Sequence, residues 1–222
     1  MAYQIAIDGP AGAGKSTIAK IVAKELKWIY VDTGAMYRAM ALYCLRNGIA
    51  LDDEETINAN LKNIDIDITH DEDGQQVILN GENVNGFIRT EEVSLATSTV
   101  SAYKNVREKL VDLQRNLAEK TSVVMDGRDI GTTVLPNATT KIFLTASVEE
   151  RANRRYKEYI EKGQEANLEE IKKEISERDE RDRNRAVSPL RQAEDAVLVD
   201  TSFMSIEEVV AEILRIHGEK AN

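Results

Sequence analysis

Residues 9–16 read Gly9-Pro10-Ala11-Gly12-Ala13-Gly14-Lys15-Ser16, and Thr17 follows. The stretch fits G-x-x-x-x-G-K-[ST] at every fixed position. The chain on either side supplies the context that this pattern needs. Residues 3–8 are a short apolar run that reads as a buried strand, and residues 15–27 carry Ile18, Val22 and Leu26 at helical spacing. Glycines let the backbone curl so that its N–H groups point inward at phosphate oxygens. A helix start adds the positive end of its dipole. Lys15 offers a mobile charge for β- and γ-phosphates, and Ser16 a hydroxyl suited to Mg²⁺. Gly9, Pro10, Ala11, Gly12, Ala13, Gly14, Lys15, Ser16 and Thr17 are therefore the candidate nucleotide-phosphate residues.

The same strand-then-helix rhythm continues outward. Residues 28–31 read as a second strand and residues 34–47 as a second helix. Then the period changes: Ile64, Ile66 and Ile68 alternate with Asp65, Asp67 and Thr69. A turn at Asp73-Gly74, the run Val77-Ile78-Leu79 and the hairpin signal Asn80-Gly81 imply a small antiparallel meander. Residues 90–102 read as a helix that closes this insert. The α/β rhythm then resumes. Val106, Leu110, Leu113 and Leu117 share one helix face, while residues 122–126, 141–145 and 196–199 read as strands. Ser147 with Glu150, and Ser205 with Glu208, fit capping boxes. The expected fold is α/β: a three-layer P-loop NTPase core with a parallel sheet (residues 1–59 and 102–222), an antiparallel β/α insert (60–101) and a short lid near 151–166.

Composition bounds the partners. In 222 residues, 29 Lys and Arg face 39 Asp and Glu, a net charge of −10. Such a field repels nucleic acid and anionic membrane. Residues 50–75 hold nine of the acids (Asp52, Asp53, Glu54, Glu55, Asp65, Asp67, Asp71, Glu72 and Asp73) against the single base Lys62. Asp65, Asp67 and Asp71 lack the glycine of an EF-hand loop, so the segment reads as a solvated face. Residues 148–191 balance to zero but are dense in arginine. No apolar run reaches the roughly 18 residues of a membrane helix. Met1-Ala2-Tyr3-Gln4 lacks the features of a signal peptide, so the expected compartment is the cytoplasm. The single cysteine, Cys44, lies in an apolar helical run and reads as a packed thiol.

The chemistry is narrowed by what is missing. A guanine-reading Asn-Lys-x-Asp does not occur, and the D-x-x-G match at residues 71–74 falls in the insert's turn. The two histidines, His70 and His217, read from position as surface residues. Phosphoryl transfer needs Arg, Lys and Mg²⁺ rather than a histidine base, and a phosphate acceptor is already ionised.

Four motifs now stand in order: Asp8-Gly9-Pro10-Ala11-Gly12-Ala13-Gly14-Lys15-Ser16, Asp32-Thr33-Gly34-Ala35-Met36-Tyr37-Arg38, Asp126-Gly127-Arg128-Asp129-Ile130-Gly131-Thr132, and Arg178-Asp179-Glu180-Arg181-Asp182-Arg183-Asn184-Arg185. Together they span nearly the whole chain, and the chain resembles the bacterial cytidylate (CMP) kinases. The resemblance implies phosphorylation of CMP and dCMP by Mg·ATP in a monomer, with residues 60–101 as the monophosphate-binding region and domain closure that excludes water.

It also implies residue roles. Lys15, Arg38, Arg128, Arg154 and Arg181 would assist transfer. Thr33, Tyr37, Arg38, Ser98, Arg107, Arg128, Asp129, Arg178, Asp182 and Arg185 would hold the monophosphate. Among them Thr33, Arg107 and Asp129, with Arg185, would read the base, because a carboxylate accepts from the cytosine amino group and would face the oxygen of uracil. Ser16, Asp126 and more weakly Asp32 would serve Mg²⁺. Arg151, Arg154 and Arg155 would lie in or beside the lid.

Bland readings stand beside these roles. Arg107 and Glu108 pass for exposed helix charges. Arg178–Asp182 and Asp179–Arg183 are also i, i+4 pairs of a salt-bridged surface. Two other functions stay open: a kinase for UMP or AMP, and a P-loop protein switched by nucleotide. The net charge describes the exterior, and the site's local field should have the opposite sign.

Overall fold

The computed structural model describes residues 2–72 and 74–221. The order is β1 (Gln4–Asp8), α1 (Lys15–Leu26), β2 (Ile29–Asp32), α2 (Thr33–Arg46), α3 (Glu54–Asn60), β3 (Ile66–Asp71), β4 (Gly74–Leu79), β5 (Glu82–Asn83), α4 (Glu91–Val100), α5 (Lys104–Lys120), β6 (Val123–Gly127), β7 (Thr140–Thr145), α6 (Val148–Glu161), α7 (Leu168–Asn184), β8 (Val197–Asp200) and α8 (Ile206–Ala221). A π-helical turn, Ile130–Val134, follows β6. Among the described residues no helix is long and apolar enough to cross a membrane.

The chain divides into two compact units. One comprises Met1–Tyr30 with Ala118–Asn222, the other Val31–Leu117. In the first, the five-stranded sheet runs β2-β6-β1-β7-β8. β1 pairs in parallel with both β6 and β7, and β7 with β8. Strands buried on both faces explain their unbroken apolar runs. Ile5, Ile7, Val124, Ile142 and Leu144 meet Ile18, Val22, Val209 and Ile213 in the core. Ser205 and Glu208 close the full reciprocal box expected of them. At α6 only half of the box forms: the Glu150 N–H donates to Ser147 Oγ, while the Ser147 N–H goes to Ser202 Oγ.

The second unit holds the small antiparallel sheet β3-β4-β5. Asn80 (φ 49°) and Gly81 (φ 84°) form the tight turn expected from that dipeptide. The expected Asp73-Gly74 turn falls partly on Asp73, outside the described residues. This unit is wider than residues 60–101, because α2 and α5 share its apolar cluster: Met36, Met40 and Cys44 pack with Ile66, Val77, Ile88, Val106 and Leu110.

The reading of His217 as a surface residue is overturned: His217 is 6% exposed. It lies one turn beyond Ile213 on the apolar face of α8, meets Thr140 Oγ1 at 2.8 Å, and stands edge-on to Trp28 and Tyr3. Burial lowers its pKa. His70 is exposed, as expected.

Candidate phosphate and monophosphate sites

β1 delivers the chain to the phosphate loop at Asp8. At Gly9 (φ 151°) a Cβ would lie 1.9 Å from the Leu144 carbonyl oxygen, so only glycine passes there. Gly14 (φ 86°) caps α1 without a side-chain hydrogen bond. The first N–H groups of α1 therefore have no side-chain acceptor, which suits an incoming anion. Lys15 is buried, and its Nζ donates to the Pro10 carbonyl at 2.7 Å. Burial, then the Arg128 charge, lowers its pKa to about 7.

Behind the loop, Asp126 ends the apolar run of β6. Its Oδ2 accepts from Ser16 Oγ at 2.9 Å and its Oδ1 from the Tyr30 hydroxyl at 2.8 Å. A hydroxyl beside a carboxylate is the hard-oxygen donor set that Mg²⁺ takes. Among the described residues there is no group of three or more His, Cys, Asp or Glu that could hold a metal. The pair thus fits a magnesium ion that draws its other ligands from phosphates and water.

The Asp126-to-Thr132 and Arg178-to-Arg185 motifs meet in this unit. Arg128 Nε donates to Asp182 Oδ2 at 2.9 Å. Burial pushes the Asp182 carboxyl up, but the charges of Arg128, Arg178 and Arg185 outweigh it and hold the pKa below the usual value. Asp129 is buried and faces Arg185, whose Nη2 lies 3.4 Å from Asp129 Oδ1. Arg185 Nε also donates to the Ser188 carbonyl. The Asp179–Arg183 surface pair is overturned: Asp179 is 2% exposed and its Oδ2 accepts from Arg151 Nη2 at 2.6 Å.

Arg151 differs from the lid residue expected. Its Nε donates to the Ala146 carbonyl and its Nη1 to the Ala11 carbonyl of the phosphate loop, at 2.9 and 2.8 Å. A fully buried guanidinium so engaged braces the loop and is not available to a phosphate. Arg154 donates to Thr201 and Glu150, and its Nη1 lies 3.9 Å from where a Gly14 Cβ would stand. Arg155 Nε donates to the Tyr159 hydroxyl. Arg181 is exposed on α7, with a contact to the Glu177 carbonyl one turn back.

In the other unit, Asp32 caps α2. Its Oδ1 accepts the Ala35 N–H at 3.0 Å and its Oδ2 pairs with Arg89 at 2.9 Å. Gln75 grips the Asp32 backbone at both N–H and carbonyl. Thr33 and Tyr37 are buried on α2, and Arg38 is half-buried. A Cβ on Gly34 would lie 3.3 Å from Arg38 Nη1, so the glycine leaves that guanidinium its place over the first turn. Arg107 is 3% exposed, which overturns its reading as a surface charge. It sits over the Tyr37 ring at 5.3 Å and donates to the Ser101 carbonyl. Ser98 is half-buried on α4.

Sequence reasoning missed Tyr30, Gln75, Arg89 and Thr201, none of which lies in a recognisable local pattern. It also passed over Asp8, although that residue opens the first motif.

A sequence model described as cytidylate kinase matches residues 5–219. The cytidylate kinase of Geobacillus sp. (strain WCH70) is 55% identical over 217 residues, covering 98% of this chain and 97% of the relative. That of Pediococcus pentosaceus (strain ATCC 25745 / CCUG 21536 / LMG 10740 / 183-1w) is 57% identical over 214 residues, covering 96% and 95%. Among solved structures, a gluconokinase from Sinorhizobium meliloti 1021 aligns with a TM-score of 0.52 at 13% identity, covering 98% of this chain and 92% of that one. That likeness bears on the fold alone.

Proposed function

Because the chain belongs to the cytidylate kinase family, we infer that it transfers the γ-phosphoryl group of ATP to CMP and dCMP, giving CDP and dCDP. One observation carries the assignment of residues. Arg128 and Asp129 are adjacent, and each is met by a residue of the α7 motif, Asp182 and Arg185 respectively. A phosphate-binding cation and a base-reading carboxylate are thereby held on one short loop.

An oxygen of the acceptor phosphate attacks the γ-phosphorus, and the bond to the β–γ bridging oxygen breaks, leaving ADP. The attacking oxygen carries no proton at neutral pH, so a general base is not required. Residues 9–17 cradle the donor phosphates. Lys15 moves from Pro10 onto the β- and γ-oxygens, and Arg154 and Arg181 neutralise charge as it develops. Arg38 and Arg128 take the acceptor phosphate; Arg178, Asp182 and Ser98 take the sugar. Thr33, Arg107 and Asp129, with Arg185, read the base, and Tyr37 supports Arg107. Ser16 and Asp126 would hold Mg²⁺, which when bound neutralises phosphate charge. Asp32 serves the α2 cap rather than the metal. Residues 60–101 act as the monophosphate-binding insert and 151–166 as the lid, apart from Arg151, which braces the phosphate loop. The chain works as a monomer in the cytoplasm on small molecules, not on nucleic acid.

Initial rates on CMP, dCMP, UMP and AMP test the substrate. CMP and dCMP should lead, and a preference for UMP or AMP would sink the cytosine assignment. ATP consumption that never depends on an added monophosphate would favour a nucleotide-switched binding protein.

A further inference from the structure

The phosphate loop and the base-reading loop share one carboxylate. In the β1–β6 register Asp8 lies opposite Gly127, two residues before Asp129. After Gly127 the chain leaves the sheet and enters the turn Ile130–Val134. The leading N–H groups of such a turn have no partner within it. Asp8 accepts two of them: Oδ1 from Ile130 and Oδ2 from Gly131, each at 2.7 Å. From the other side, the Asp129 carbonyl accepts from Thr133 at 2.8 Å and Val134 at 3.2 Å. The peptide leaving Asp129 is thus fixed from two directions, which leaves this residue little but its side-chain torsions. A buried carboxyl there is costly to the fold. Burial drives its pKa up to about 7 despite both N–H groups.

We propose that Asp8 is a positioning residue for monophosphate selection. It sets the peptide on which Asp129 stands, and so how sharply the base is read, while the loop that starts one residue later holds ATP. This rests on the assignment of Asp129 to the base.

The test measures kcat and KM for ATP, CMP and UMP in Asp8→Asn, Asp129→Ala and the double variant of the whole chain. Asparagine keeps the volume but turns an NH₂ toward one of the two N–H groups. The CMP-to-UMP ratio of kcat/KM should fall about tenfold in Asp8→Asn, roughly the worth of one charge-assisted hydrogen bond. KM for CMP should rise and KM for ATP stay within about twofold. The double variant should discriminate no worse than Asp129→Ala alone. An unchanged ratio in Asp8→Asn beside a lost one in Asp129→Ala overturns the role of Asp8 alone. Equal losses for CMP and UMP overturn it as well, because they mark a merely structural residue. An unchanged ratio in Asp129→Ala overturns the base assignment, and this inference with it.

Gly131→Ala reaches the same contact without altering Asp8. Its Cβ would lie 3.3 Å from Asp8 Oδ2 and 3.1 Å from Lys141 Cδ. A smaller loss of discrimination, about threefold, is expected with KM for ATP unchanged; no loss overturns the proposal even if Asp8→Asn fails to fold.

Discussion

Two sets of carboxylates behave in opposite ways. Asp52, Asp65 and Glu72, in the acidic stretch, are exposed. Asp8, Asp126, Asp129 and Asp179 are buried, and each has at least one oxygen directed at a named donor. The residue types are the same; the difference lies in what surrounds them. An exposed carboxylate is stabilised by water and can be removed at little cost. A buried one has exchanged water for particular partners, and removing either side leaves the other stranded.

The largest expected effect tests this directly. Asp179→Ala would leave Arg151 charged and buried without its counter-ion. Urea unfolding should show a loss of about 3–5 kcal/mol. Combining it with Arg151→Met should recover part of that loss; no recovery would mean that the pair is not what Asp179 supplies. Next comes Asp126→Asn. It should lower kcat by about 10²–10³-fold and shift the Mg²⁺ dependence of the rate to higher concentration, with a smaller stability loss than Asp179→Ala because the asparagine keeps one carbonyl oxygen as an acceptor. An unmoved Mg²⁺ titration would remove Asp126 from the metal site.

Third is a pH effect. The Asp8 carboxyl is held at about 7 in the folded chain, above its ordinary 3.8. Between those values the folded state binds the proton more tightly than the unfolded state. Stability therefore falls as pH rises through this window and levels off above it, by at most about 1.4 kcal/mol per pH unit. Asp8→Asn lacks this slope, so its deficit against the native chain should shrink by about 2 kcal/mol between pH 5 and 7. A constant deficit would show that Asp8 ionises as freely as in the unfolded chain. The smallest effect belongs to the other set. Asp52→Asn, Asp65→Asn and Glu72→Gln should each move stability by under about 0.5 kcal/mol and leave the rate on CMP unchanged. A large loss would make the acidic face part of the machinery.

Legibility in the sequence follows the range of the interaction. The glycine-lysine loop, the apolar strands and the Asn80-Gly81 turn are decided by neighbours a few residues apart, and spacing finds them. Asp126 was readable because an apolar run stops there. Arg151 was not. It follows Glu149 and Glu150 on a charged helix, and only the approach of Ala11 and Asp179 from distant parts of the chain gives it a function. Asp8 is equally opaque, since its partners lie more than a hundred residues away. His217 is a different kind of miss. Val209, Ile213 and His217 fall on consecutive turns of α8, so helical spacing contained the signal, and nearness to the last residues obscured it.

The sole thiol of the chain, Cys44, has no exposed surface, and burial raises its pKa. Alkylating and maleimide reagents attack thiolate that solvent can reach, so the native chain should be silent toward them. A cysteine introduced at an exposed position such as Glu72 would then be the single reactive handle, with no background to remove. A dye there would report on the surroundings of that position as ATP and CMP are added, in a protein whose own cysteine stays in place.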